Sequence, residues 1–251
     1  NHNGNPGLYL RPKLVMNGDA NGFSAFLGMI FYSEISFSGS TDRFFNPDLY
    51  LSDIGIDAAF SGFTLNGYVK FLDSDTETGF EGKLDFTAPA GVSGKFKAKF
   101  ANVRLNTTAA FNTPSYYNYW YVDALIGFGR NGVPVFSGVN MYGIGGGLWY
   151  NMRQDVGYKI NPSLLYTENP TPPNTTSTSG IPYTKSFGSG YGFKIQGLFG
   201  DPEGGDKINM LLALEAQIPA SGGPTFSLKG DFRMMSKITS YENDGSMSED
   251  K

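Results

Sequence analysis

Two pairs of carboxylates are the residues whose type and spacing come nearest to catalytic chemistry. Asp53 and Asp57 are separated by three residues, and so are Glu81 and Asp85. Two carboxyl groups about 5 to 10 Å apart can hydrolyse a glycosidic bond, one as acid and the other as base or nucleophile. On a strand, residues at this spacing share a face but lie about 13 Å apart. We therefore expect solvated polar positions here and no hydrolytic centre.

Histidine and cysteine, the other common catalytic and metal-binding residues, are nearly absent. The chain has one histidine, His2, and no cysteine. Ser-His-Asp and Cys-His triads and imidazole or thiolate zinc sites are thereby excluded. The acidic run at 73–77 offers oxygen atoms at alternate positions, but it lacks the glycine and the distal glutamate of a helix-loop-helix calcium loop. We interpret it as a hairpin turn and expect no enzyme, no cofactor and no metal site.

A glycine-rich run at 143–147 superficially resembles a phosphate-binding loop. Such a loop leads from a strand into the N-terminus of a helix. Here Leu148, Trp149 and Tyr150 continue the pattern of a strand. We therefore interpret the glycines as a place where layers of sheet approach closely.

A group of aromatic residues is the candidate binding surface. Tyrosine and tryptophan combine an apolar body with a polar tip, which suits both a sugar-stacking platform and a membrane interface. Packing of part of the group in the core is the competing interpretation. The group consists of Tyr116, Tyr117, Tyr119, Trp120, Tyr121, Trp149 and Tyr150.

Composition and alternation both predict strands. The chain contains 34 Gly, 21 Phe and 15 Tyr with only 17% charged residues, and aromatic residues favour pleated, half-buried surfaces. Residues 63–71, 80–86 and 92–100 alternate apolar with polar side chains, and only a strand places every second residue on one face. These segments predict a β-meander with one apolar face and one polar, solvent-exposed face.

The same pattern extends over most of the chain and defines its architecture. Segment 208–218 also contains good helix formers, but its alternation favours a strand. We predict an all-β fold, an antiparallel meander of about nine to twelve amphipathic strands forming a sandwich, open groove or barrel. The further strand segments are 23–37, 49–60, 119–128, 135–150, 191–199 and 226–234.

We expect a single β-rich domain over residues 1–251. A long loop rich in Pro, Thr and Ser is predicted at 161–181, and a polar tail at 241–251. The abrupt ends indicate a section of a larger chain or a processed form. A net charge of −4 without a dense basic cluster argues against nucleic acid as a partner.

One stretch of sequence resembles a known group of proteins. Residues 135–151, VFSGVNMYGIGGGLWYN, follow YVDALIG at 121–127. This resembles a signature of giant uncharacterised bacterial β-rich surface or secreted proteins, in which a Gly-rich strand follows a strand of the FFVxAxIG kind. The resemblance implies that the chain is one section of such a protein, and it assigns no functional residues.

Three functional hypotheses follow. The favoured one is a non-catalytic structural or binding module of a large extracellular or cell-surface β-protein, serving assembly, adhesion or the shielding of hydrophobic surface. Its partners would be other protein segments or copies of itself. The alternative is a transmembrane β-barrel channel of an outer membrane, in contact with lipid. The third is a barrel-type carrier of a hydrophobic ligand.

Overall fold

A computed structural model describes residues 7–17, 22–36, 43–104, 116–154, 178–179, 183–205 and 207–234. Within these ranges the chain is antiparallel β-structure with one short 3₁₀ turn at Pro89–Gly91 and no α-helix. The predicted all-β fold class is therefore confirmed.

Fifteen strands follow one another along the described residues. They exceed the predicted nine to twelve because several have only three to five residues, too few for alternation to be recognised. Their bounds are β1 (Gly7–Leu10), β2 (Lys13–Asn17), β3 (Gly22–Ser36), β4 (Arg43–Phe60), β5 (Phe63–Asp73), β6 (Glu77–Thr87), β7 (Ser93–Arg104), β8 (Tyr116–Gly127), β9 (Val133–Phe136), β10 (Val139–Tyr150), β11 (Met152–Gln154), β12 (Tyr183–Lys185), β13 (Tyr191–Gly200), β14 (Ile208–Ile218) and β15 (Thr225–Met234).

Thirteen of these strands form one sheet with the order β1-β3-β4-β5-β6-β7-β8-β10-β13-β14-β15. In addition, β2 pairs with β3 and β9 pairs with β10, and β11 and β12 form a separate two-stranded ribbon. Every pairing is antiparallel, and most neighbours in the sheet are also neighbours in sequence. The predicted meander is thus the organising feature of the fold.

Several local predictions are confirmed. Segment 208–218 is strand β14 and not a helix, and the glycine run at 143–147 lies within β10. The acidic run forms the β5–β6 turn, in which the Ser74 amide donates to the Glu77 carbonyl oxygen at 3.0 Å and the Glu77 amide donates back. Of the predicted loop at 161–181, the structure describes only Thr178 and Ser179. The predicted tail at 241–251 lies outside the described residues.

The sheet has two chemically different faces. Residues paired across an antiparallel ladder lie on the same face, so the register carries each face from strand to strand. We call the face that contains Leu65, Gly67 and Val69 the apolar face, and the face that contains Asn66 and Tyr68 the polar face.

The largest of the fully buried side chains, Trp149, Tyr119 and Tyr121, lie on the polar face. They belong to a cluster formed by residues of the sheet and of the β11–β12 ribbon, whereas most positions on the apolar face are half-buried or exposed. The cluster consists of Ala101, Tyr119, Tyr121, Trp149, Met152 and Tyr183.

Candidate functional site

The apolar face is continuous across ten strands of the sheet, from β3 to β15. Three adjacent rows of paired residues, which we call the central rows, contain only apolar side chains and glycine. The first runs Phe23, Ala58, Leu65, Phe86, Gly94, Ile126, Ile144, Gly197, Leu212, Gly230; the second Ala25, Ile56, Gly67, Leu84, Phe96, Ala124, Gly146, Ile195, Leu214, Leu228; and the third Leu27, Ile54, Val69, Gly82, Ala98, Val122, Leu148, Phe193, Ala216, Phe226.

Many of these side chains are strongly exposed. Ile195 is 48% exposed, Leu148 55% and Leu228 75%. Ten strands at about 4.8 Å spacing give the central rows a width of roughly 45 Å. Soluble monomers seldom expose apolar patches larger than about 300 to 600 Å². A surface of this size therefore needs a cover.

A row of aromatic residues borders the central rows on one side. Its neighbouring rings lie close together, with centroids 5.2 Å apart for Phe80 and Phe100, 6.0 Å for Phe100 and Trp120, and 4.6 Å for Tyr150 and Tyr191. The row, which we call the aromatic row, consists of Phe71, Phe80, Phe100, Trp120, Tyr150 and Tyr191.

The next positions beyond the aromatic row are polar. Asp73 pairs with Thr78, Thr78 with Asn102, and Asn102 with Asn118. The apolar band therefore ends abruptly at this level. Along β5 it occupies the nine residues 63–71, which is within the about 9 to 11 residues that a tilted strand needs to cross a hydrocarbon core.

The polar face carries paired charges. Lys97 lies 3.1 Å from Glu81, and Lys99 and Lys185 lie 3.0 Å and 3.2 Å from Glu77. Because each ammonium has a carboxylate beside it, the half-buried charges on this face are compensated locally.

The carboxylate pairs singled out in the sequence do not combine into a hydrolytic site. Asp53 accepts a hydrogen bond from Arg11 at 3.1 Å, and Glu81 is paired with Lys97. Asp85 contacts Lys83, while Asp57 accepts hydrogen bonds from Asn66 and from the Ser24 hydroxyl. Each carboxylate is thus engaged by its own neighbours, as expected for polar strand positions.

Asp123 is the most strongly engaged polar residue of the polar face. It is fully buried on β8, at 0% exposure. Its Oδ1 accepts hydrogen bonds from the Thr178 amide at 2.8 Å, the Thr178 hydroxyl at 2.6 Å and the Ser179 amide at 2.6 Å. Its Oδ2 accepts from the Ser179 hydroxyl and, at 3.1 Å, from the Tyr183 hydroxyl. Burial raises the pKa of the Asp123 carboxyl, and the five donors offset part of this cost because they favour the charged form.

The seven aromatic residues of the candidate binding surface are divided between the two faces. Neighbours on a strand point in opposite directions. Trp120 and Tyr150 lie on the apolar face, with ring centroids 6.4 Å apart. Tyr119, Tyr121 and Trp149 are buried on the polar face, the packing that the competing interpretation expects.

The remaining two residues of the seven lie near the beginning of β8. Tyr116 is exposed, and Tyr117 is half-buried with its ring centroid 5.4 Å from that of Phe187. The structure adds Tyr191 to the Trp120 side and Tyr183 to the Trp149 side. Tyr191 could have been found from the alternation of segment 191–199, whereas Tyr183 stands in a three-residue strand that carries no such signal.

Within the part of the chain that the structure describes, no group of three or more His, Cys, Asp or Glu residues could hold a metal ion. Over the same residues, no helix is long and apolar enough to cross a membrane. No protein-family model, curated protein or solved structure matches the chain.

Proposed function

We propose that the sheet is part of the wall of a transmembrane β-barrel of an outer membrane. In this proposal the apolar face contacts lipid acyl chains and the polar face lines an aqueous interior. The observation that carries the proposal is the set of three central rows, which cross ten strands without a polar side chain. Alternation of lipid-facing apolar with inward-facing polar residues is typical of such walls.

The chemistry of the apolar face favours lipid over a protein partner. Protein interfaces contain hydrogen bonds and a polar rim, on average about one hydrogen bond per 100 to 200 Å². The central rows offer no side-chain donor or acceptor over a width of roughly 45 Å. A hydrocarbon phase needs none and fits this surface as it stands, whereas a covering sheet would have to bring an equally uninterrupted apolar face of its own.

The aromatic row supports the same proposal. Tyrosine and tryptophan are enriched where membrane meets water, because their polar tips can reach the headgroup region while their rings remain among acyl chains. Trp120, Tyr150 and Tyr191 form one end of this row, and the positions beyond it are polar. The row therefore occupies the place of an interfacial girdle.

The two tryptophans of the chain provide a direct test, since Trp120 lies on the apolar face and Trp149 is buried on the polar face. The variants Trp149→Phe and Trp120→Phe each retain a single fluorophore. Both would be folded into phosphatidylcholine vesicles with and without brominated acyl chains. We expect brominated lipid to quench Trp120 strongly and Trp149 weakly.

Equal fluorescence of Trp120 in the two lipids, with the protein bound to the vesicles, would contradict the proposal. If a second copy covered the apolar face instead, the protein would be a stable dimer in buffer without detergent. Trp120 would then also be shielded from bromine.

A further inference from the structure

A short segment of the chain, residues 178–179 together with strand β12, lies against the polar face over the middle of the sheet. Strand β12 is inserted in sequence between β10 and β13, which are neighbours in the sheet. Its Tyr183 ring lies 5.0 Å from Tyr121 on β8 and 5.3 Å from Trp149 on β10, centroid to centroid. Lys185 reaches Glu77 at 3.2 Å on β6. The segment therefore crosses several strands rather than extending the sheet.

Besides the backbone ladder between β12 and β11, the segment is fastened through one carboxylate. All five hydrogen bonds to Asp123 come from Thr178, Ser179 and Tyr183, which are 55 to 60 positions away in sequence. Thr178 and Ser179 are themselves buried by this contact. Hydrogen bonds to a buried charged acceptor are among the stronger ones in proteins, and their loss leaves unsatisfied buried groups.

Gly147 is a second, independent sign that the polar face is built to receive this segment. It pairs with Asp123 across the β8–β10 ladder. A Cβ atom at this position would collide with the Tyr183 hydroxyl, and it would lie 2.9 Å from the Val122 carbonyl oxygen and 3.1 Å from Asp123 Oδ2. The backbone conformation does not require glycine here, because Gly147 has no positive φ. The missing side chain makes room for Tyr183, whose hydroxyl would be the nearest atom to a Cβ, and it also spares the Val122 carbonyl a close contact.

We propose that Asp123 is a positioning residue that holds residues 178–179 and β12 across the interior as a constriction. The inference rests on the proposed function, because the polar face must line a passage for the segment to narrow it. Solutes that move along the polar face would then meet the segment at the level of Asp123. Releasing it would widen the passage without changing the wall.

The test compares ion conductance in planar bilayers and sugar permeation into vesicles for the wild type and three variants. Asp123→Ala removes the acceptor, and Gly147→Ala displaces Tyr183 while retaining Asp123. Asp123→Asn keeps one carbonyl acceptor and is expected to restore part of the constriction. Glu203→Gln, in the exposed β13–β14 turn, is the matched control.

We expect Asp123→Ala and Gly147→Ala to raise conductance about twofold or more and to admit larger sugars, because permeation follows the free cross-section. Asp123→Asn should fall between them and the wild type, and the control should equal the wild type. Unchanged conductance in folded Asp123→Ala and Gly147→Ala would overturn the inference while leaving the proposed function intact. Failure of both to fold, with a folded control, would also overturn it, because the contact would then serve the sheet itself.

Failure of the proposed function has a different signature. In that case the wild type conducts no ions, and Trp120 is not quenched by brominated lipid. A conducting wild type with quenched Trp120 establishes the premise, so the variants then test the constriction alone.

Discussion

At the scale of single residues, position within the two-residue repeat decides what each side chain does. Trp120 and Tyr121 are neighbours in sequence, yet one lies on the apolar face and the other is buried on the polar face. Asp123 follows on the same side as Tyr121 and becomes the anchor of a segment distant in sequence. Residue type alone suggested one aromatic surface, and the pleat of the strand produces two.

Asp201 shows how a single carboxylate can organise a turn outside the strands. Its Oδ1 accepts from the Glu203 amide at 3.0 Å, and its Oδ2 accepts from the Lys207 and Ile208 amides at 2.9 Å. Slight burial raises the pKa of Asp201, but these amide hydrogen bonds favour the charged form and bring the pKa below its usual value.

We predict that Asp201 contributes to stability at neutral pH and loses that contribution in acid. A carboxyl with a lowered folded-state pKa stabilises the fold above its unfolded pKa of about 3.9, and the effect disappears as pH falls through the folded value. Asp201→Asn should therefore lower stability at pH 7 and flatten its decline below about pH 4, measured by urea unfolding at several pH values. The exposed Glu203→Gln should change stability by less than about 0.5 kcal/mol. If Asp201→Asn and the wild type showed the same dependence of stability on pH, this role of Asp201 would be refuted.

At the scale of elements, alternation predicted the long strands because each provides four or more positions per face. β5, β6 and β7 follow directly from the pattern of residues 63–100. The ribbon of β11 and β12 could not be predicted, since its strands have three residues each and pair across a long separation in sequence. The start of β8 at Tyr116, three residues before the predicted segment 119–128, was missed for a related reason, because tyrosines at successive positions hide the two-residue repeat.

The absence of cysteine allows the two faces of one strand to be probed separately. We predict opposite labelling of Val69→Cys and Lys70→Cys, which are adjacent on β5 and both exposed. In vesicles, a charged thiol reagent should modify Lys70→Cys on the polar face and should spare Val69→Cys on the apolar face, because lipid covers the apolar face in the proposed barrel. A membrane-permeant maleimide should modify both. Rapid reaction of Val69→Cys with the charged reagent would show that water reaches the apolar face.

At the scale of the whole molecule, the rows matter more than any one strand. The alternation of the ten long strands was visible in sequence, but only the pairing register places their apolar positions in line. The sequence hypothesis of a surface module and that of a membrane wall differ in what covers this face. The aligned rows and their aromatic border favour the membrane wall.

We predict that an arginine on the apolar face is penalised according to its depth. Leu214 is in the middle central row and Ile218 continues the aromatic row on β14, and the two are similarly exposed, at 40% and 47%. In a membrane, Leu214→Arg should cost about 2 to 4 kcal/mol and Ile218→Arg about 0 to 1 kcal/mol, measured by reversible folding into vesicles. In water the two equally exposed sites would respond alike. Equal costs would therefore contradict a lipid-facing surface.

The strand order has a consequence for how a ring could form. The path from β1 to β15 contains eleven strands, each antiparallel to the next. Because this number is odd, β1 and β15 run in the same direction. The two edge strands could therefore pair with each other directly only as parallel strands. A barrel closed by antiparallel ladders alone needs one further strand, or another odd number of strands, between β1 and β15. Each added strand must alternate side chains that point to lipid with side chains that point to the interior.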